Sequence, residues 1–278
     1  MLTIDPKSEK TALVHKYILG AVAPRPIAFA STIDKAGNLN LSPFSFFNAF
    51  SANPPILIFS PSRRVRDNTV KHTLNNVLET KEVVIGIVTA DMAEQVSLSS
   101  CDFAQAVNEF DKAGFTAVKA DLVKPFLIKE SPVNFECKVN EVIALGKEGG
   151  AGNLVICEVL KIHINEAILD ANKNIDPLKL NALSRLGDNW YGKATKDSIF
   201  ELEKPLGKIG MGFDNLPKEI RVSKILSSSD LAILATSENI PAKIKFVLRE
   251  NKTLKEKHIL AKELLSQGKA QEAWQVLL

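Results

Sequence analysis

Between Pro24 and Asn76 the chain gathers side chains able to hold a flat, anionic molecule. Hydroxyls sit at the ends of short apolar runs (Ser31, Thr32, Ser45, Ser60), arginines cluster at Arg63, Arg64 and Arg66, and four phenylalanines fall between Pro43 and Asn53. A phosphate is held by Ser/Thr hydroxyls, by Arg or Lys, and by free N–H groups at a helix start. A planar ring needs an apolar slot with a few polar groups fixing its edge. Both kinds of group occur in one stretch, so the expected ligand has an aromatic body and an anionic tail. A second concentration of candidates lies in Ala182–Tyr191, with Arg185, Trp190 and Tyr191.

The elements that must position these groups are short. A helix is expected over Lys10–Gly20 (Leu13, Val14, Tyr17 and Ile18 at helical spacing), stopped before Pro24. Pro26–Thr32 reads as a strand, Asp34–Gly37 as a tight turn and Asn38–Ser42 as the returning strand, which puts Ser31 and Thr32 at a strand end. Pro43–Asn53 reads as a hydrophobic plug that includes Phe44 and Phe50, and Pro55–Ser60 as a buried strand. Thr69 is the expected N-cap of a helix over Val70–Glu79, with Val70, Leu74, Val77 and Leu78 as its buried stripe. Lys71 and Thr73 then put a cation and a hydroxyl in the first turn, where the helix dipole favours negative charge.

Further strands are expected at Glu82–Val88, Phe135–Leu145 and Asn153–Ile164, the last two joined by a flexible loop, GKEGGAGN. Asp91–Ser100 reads as a helix. Neither GKEGGAGN nor GKIGMGF (Gly207–Phe213) is a nucleotide fingerprint: the Lys-Ser/Thr ending and the strand–turn–helix setting are both missing. Roughly five to seven strands with few crossover helices argue for a mainly antiparallel barrel over a doubly wound sheet. After about Glu201 the character changes to helices, at Glu219–Ser227, Ser229–Thr236, and a pair over Lys252–Gln267 and Lys269–Leu278 joined at Gly268. The expected division is therefore a barrel domain over 1–200 and a helical extension over 201–278.

Composition sets the class. A chain of 278 residues, 45% hydrophobic and 24% charged, is ordinary for a globular protein. A net charge of +3, evenly spread, does not suit nucleic acid, and the local arginine cluster suits a small anion. Cys101, Cys137 and Cys157 form no CxxC pair, so neither zinc nor a disulfide framework is implied, and a reducing cytoplasm is expected. MLTIDPKSEK lacks an apolar leader, and no apolar run has the length of a membrane span.

The order of motifs resembles the flavin reductase-like, FMN-binding split-barrel family in its longer form. The resemblance rests on Pro24-Arg25-Pro26-Ile27-Ala28, Ser31-Thr32, Asn40-Leu41-Ser42-Pro43-Phe44-Ser45-Phe46-Phe47-Asn48, Pro54-Pro55 and Lys71-x-Thr73-Leu74-x-Asn76. It continues through Glu109-Phe110, Ala113-Gly114, Ser131-Pro132, Phe135-Glu136-Cys137, and Arg185-Leu186-Gly187 with Tyr191, so it covers most of residues 10–195. One position departs from the pattern: His72 stands where the family often has Asp.

The resemblance implies an antiparallel Greek-key split β-barrel and a homodimer with flavin mononucleotide (FMN) near the subunit interface. It implies that Ser45, Phe46, Phe47 and Asn48 wrap the flavin ring. Lys71 and Thr73 would then contact the phosphate, with Ser60, Arg63 and Arg64 approaching from the preceding loop. Arg25, Ser31 and Thr32 join the cofactor set, and Arg185 and Tyr191 would lie near the flavin and the nicotinamide entrance. The implied activity is hydride transfer from NADH or NADPH to flavin. No side chain need be catalytic, because the cofactor carries that chemistry. Two other readings use the same motifs: an FMN carrier or scaffold with little turnover, and a split-barrel oxidase of a phosphorylated pyridoxal-type substrate.

Overall fold

The computed structural model describes residues 1–244 and 252–278, which fall into two units, Met1–Phe200 and Glu201–Leu278. In the first, helix α1 (Thr11–Ala21) stops short of Pro24 and is followed by β1 (Arg25–Pro26) and β2 (Ala28–Ile33). A turn at Asp34–Gly37 leads into β3 (Leu39–Phe44); the Asp34 carboxylate accepts the amides of Ala36 and Asn38, and Gly37 supplies the left-handed φ of 92°. Next come β4 (Phe47–Ala52), β5 (Pro55–Phe59), α2 (His72–Thr80), β6 (Glu82–Ile87), α3 (Ala93–Ser99) and α4 (Glu109–Ala113). The unit ends with β7 (Ala117–Val118), β8 (Leu127–Ile128), β9 (Val133–Ala144), β10 (Asn153–Ile164), α5 (Pro177–Leu180), β11 (Leu183–Arg185) and β12 (Tyr191–Lys193).

Seven strands form one sheet in the order β3-β2-β6-β9-β10-β5-β4, antiparallel throughout. Its two edge strands, β3 and β4, are consecutive in the chain and separated only by Ser45 and Phe46. A flat sheet would hold these edges about 29 Å apart, six spacings of about 4.8 Å. Two linking residues span three Cα–Cα steps, about 11 Å. The sheet must therefore curl until its edges meet at that corner. No ladder joins β3 to β4, so the barrel stays split.

Curling makes an inside and an outside, and β2 shows how both are filled. Ala28 and Ala30 join the interior cluster with Phe59, Ile85, Cys137 and Val155, and Leu74 and Val77 of α2 pack into the same cluster. Phe29 points the other way, into a second cluster with Met92, Val96, Phe110 and Phe115 beneath α3 and α4. A strand covered on both faces reads as a continuous apolar run. Burial raises the Cys137 thiol to about 12, so it stays protonated and unreactive.

Four expectations need correction. Pro43–Asn53 is the end of β3, the corner and β4: Phe44 is buried in the core as the plug reading expects, but Phe50 on the edge strand is exposed. Helix α2 begins at His72 with Lys71 as its N-cap, while Thr69 is spent on Asp67 and Arg64. Its buried face is Thr73, Leu74, Asn76 and Val77, leaving Leu78 exposed, because the face covers buried polar groups as well as apolar ones. GKEGGAGN is laced onto the loop after β5: Gly150 N–H donates to Arg63 O, Arg63 N–H to Ala151 O, and the Asn68 side chain to Lys147 O.

The second unit holds α6 (Lys218–Arg221), α7 (Ser228–Ala235), α8 (Leu254–Ser266) and α9 (Ala270–Leu277). The fourth correction falls here: the helix expected over Glu219–Ser227 is the single turn of α6, because Ser227 is instead the N-cap of α7. Capping boxes start α7 (Ser227, Asp230) and α8 (Thr253, Glu256), and Gly268 turns α8 into α9 at φ 75°. The core of this unit centres on Trp274, whose ring is fully buried and donates to Ser237 Oγ.

Candidate functional site

The corner that closes the barrel opens onto a cavity of about 440 Å³, within the range of about 300–1,000 Å³ usual for small-molecule sites. The corner and β4 contribute Ser45, Phe46, Phe47, Asn48 and Phe50; β1 contributes Arg25 and Pro26. Ser60 and Ser62 line it from the end of β5, and Leu145, Gly150 and Gly152 from the β9–β10 hairpin. Most of this wall is apolar, and its polar groups converge. Ser60 Oγ accepts the Asn153 amide at 3.0 Å, which leaves its own proton to donate inward. Ser62 Oγ is buried without a partner, a cost of about 1–3 kcal/mol that a ligand acceptor would remove.

The hairpin approaches this wall too closely for side chains. A Cβ at Gly152 would lie 2.7 Å from Ser60 Oγ, and one at Gly149 would lie 3.0 Å from the Arg64 carbonyl. Gly152→Ala is therefore expected to displace Ser60 and weaken ligand binding in the cavity at least about tenfold, while the rest of the barrel keeps its stability. A binding titration of the variant checks this, and unchanged affinity would remove Ser60 from the site.

Beyond Ser62 the same loop carries the cations. Arg64 and Arg66 converge on Asp102, and Lys71 reaches within 3.7 Å of it from the N-cap of α2. Burial first, and then the Arg64 charge, push the Lys71 ammonium below the usual lysine value. It is thus a charge short of compensation at a helix N-terminus, where an anion gains most. Arg63 folds back instead, donating to the side chain and carbonyl of Asn68 at 2.6 and 2.7 Å.

Other expected contacts lie elsewhere. Ser31, Thr32 and Thr73 are fully buried. Thr73 Oγ1 and Thr32 Oγ1 both donate to Asn40 Oδ1, at 2.6 and 3.2 Å, and Asn76 donates to Thr32. Asn40 donates in turn to Glu109, which also accepts the Leu41 amide. This network locks α2 and α4 onto β2 and β3; neither threonine lines the corner cavity, while Thr73 also borders the small space beside Lys71, Arg64 and Asp102. Arg25, which does line the corner cavity, donates through Nη1 and Nη2 to the carbonyls of Leu19, Val22 and Leu186, tying the end of α1 to the β11–β12 turn, and its buried Nε has no partner. Arg185 lies over the Tyr191 ring at 4.4 Å, on the small sheet β1-β11-β12; neither residue lines the cavity.

Sequence reasoning missed Ser62, Leu145, Gly150, Gly152, Asn40, Glu109 and Asp102. The closely spaced glycines of GKEGGAGN were the available signal for a close backbone approach. Among the described residues one group of potential metal ligands, Asp121, Glu136 and His163, comes together within 4.8 Å. Its acceptors are already taken: Lys161 holds Asp121 at 2.6 Å, and Glu136 accepts three amides and the His163 ring. It acts as a brace.

Residues 20–179, more than half of the chain, match the family model described as a flavin reductase like domain. An uncharacterized protein of Aquifex aeolicus is 41% identical over 181 residues, which span 65% of this chain and 90% of the relative. Nitrilotriacetate monooxygenase component B from Bacillus cereus superposes with a TM-score of 0.67 at 28% identity, over 73% of this chain and 98% of its own. A Shewanella frigidimarina protein assigned as a flavin reductase with a split barrel domain superposes with a TM-score of 0.61 over 71% of this chain and 95% of its own. Its identity is 22%, so that likeness is one of fold.

Proposed function

The chain belongs to the flavin reductase-like family, and on that premise we propose that it binds FMN in the corner cavity and reduces it with NADH or NADPH. The observation that carries this reading is the single loop 60–71. At one end it lines the apolar cavity with Ser60 and the unpartnered Ser62; at the other it carries Arg64 and Lys71. A ligand with a flat ring and a phosphate tail uses both ends. Phe46, Phe47 and Pro26 supply apolar walls for the ring, and Ser45 and Asn48 supply polar groups for its edge.

When bound, the flavin supplies the hydride-accepting chemistry itself. The residues of this chain have the lesser tasks of holding the ring, shielding it from water and admitting a nicotinamide to within about 3–3.5 Å of it. Arg185 stacked on Tyr191 sits one strand from β1, where its charge would attract the phosphates of a dinucleotide. The reading includes a homodimer. Val22, Phe50 and Leu145 rim the cavity at 60%, 63% and 62% exposure, and a second copy laid over that rim would bury them. Free thiols at Cys101, Cys137 and Cys157 suit a cytoplasmic setting. Among the described residues no helix is long and apolar enough to cross a membrane.

The test is direct binding. FMN added to the flavin-free protein is expected to saturate one site per chain with quenched fluorescence. Absence of binding would overturn the reading.

A further inference from the structure

Asp102 stands where an incoming anion would go. Its Oδ1 lies 2.9 Å from Arg64 Nη2 and 3.7 Å from Lys71 Nζ, and its Oδ2 lies 2.5 Å from Arg66 Nη2. With that carboxylate in place, the free space beside Lys71, Arg64 and Thr73 is about 10 Å³. That is room for at most one water. A phosphate enters only if the carboxylate leaves. Arg64, Arg66 and Lys71 pair with Asp102, Arg66 also with Asp67 at 3.1 Å, and the Glu109 carboxyl lines the same space. A phosphate monoester carries about −1.5 to −2 near neutral pH, more than the single carboxylate it would replace, so Arg64, Arg66 and Lys71 would attract it more strongly than they attract Asp102.

The segment that bears Asp102 is built to let go. Residues 100–108 connect α3 to α4 without helix or strand, and Ser100, Cys101, Asp102, Ala104, Gln105 and Ala106 are exposed. The backbone hydrogen bonds of 100–107 reach only back to α3 or within the stretch itself. Its polar ties to the barrel are the Asp102 carboxylate and a 3.5 Å contact from Lys71 Nζ to Ser100 O.

We propose that Asp102 is an internal competitor for the cation cluster, displaced by the ligand's phosphate, so that occupation of the site frees residues 100–108 from the barrel. The proposal rests on the FMN reading and adds to it a built-in opposition to phosphate binding. In the flavin-free state the segment is latched and the cations are paired. In the loaded state the phosphate takes those partners.

Two measurements on the flavin-free full chain test it, with FMN and riboflavin as probes, since riboflavin lacks the phosphate. Asp102→Asn should bind FMN at least tenfold more tightly than the wild type and bind riboflavin equally well; equal riboflavin binding also shows that the variant is folded. In the wild type, FMN should speed hydrogen exchange at the amides of 101–107, and riboflavin should not. Unchanged or weaker FMN affinity in Asp102→Asn, or slower exchange across 101–107 with FMN, would overturn the proposal while leaving the FMN site standing. FMN failing to bind either protein would overturn both.

Discussion

Replacing Glu136 by alanine is expected to destabilise the barrel by about 3–5 kcal/mol, because three amides lose their acceptor and the His163 ring loses its hydrogen-bond partner. Glu136 is fully buried in β9. Its oxygens accept the amides of Asp121, Leu122 and Val123 and meet His163 Nε2 at 2.6 Å. Those amides hold the turn that places Ala120 and Val123 over Val84. The loss should appear as a lower urea midpoint with an unchanged slope; a change below about 1 kcal/mol would contradict the brace.

The pH dependence has a definite sign. Burial alone would raise the carboxyl, but the His163 hydrogen bond and the three amides outweigh it and hold it below its usual value. A group with a depressed folded value contributes stability above its unfolded value of about 4.3, and loses it as pH falls through the folded value. Glu136→Ala should therefore flatten the acid side of the stability profile.

Lys71→Ala is expected to weaken FMN binding about 10- to 100-fold, the loss of one charged hydrogen bond worth about 1.5–3 kcal/mol, and to leave riboflavin binding unchanged. Because burial and Arg64 lower the Lys71 pKa, wild-type FMN affinity should begin to fall at a pH below the ordinary lysine value of about 10.4, and that fall should be missing in the variant. Equal loss for FMN and riboflavin would mean that Lys71 supports the fold and does not hold the phosphate.

Much of the barrel could be read from the chain because its signals are local. Strand β2 opens on the apolar run Ala28–Ala30, the Asp34–Gly37 turn has its own side-chain bonds, and β9 and β10 are long and rich in β-branched residues. The corner residues Ser45–Asn48 were legible through the family pattern, and the structure brings them to one cavity with Ser60. What spacing could not give is which face of an element meets solvent. Thr32 and Thr73 look like ligand hydroxyls in sequence, yet both turn inward to Asn40, a partner fixed only by tertiary packing. Strand β4 was hidden because an edge strand with five exposed positions of six carries no alternation of polarity. Asp102 was invisible for a similar reason: its partners lie 31 to 38 residues away in the chain.

Reductase activity is tested most plainly by titrating the FMN-loaded protein anaerobically with NADH and then NADPH and following the visible absorption of the flavin. One of the two donors is expected to bleach it promptly, to completion at one equivalent per bound flavin. A flavin spectrum that neither donor changes would contradict the reductase reading and leave a carrier or an oxidase of another substrate in its place.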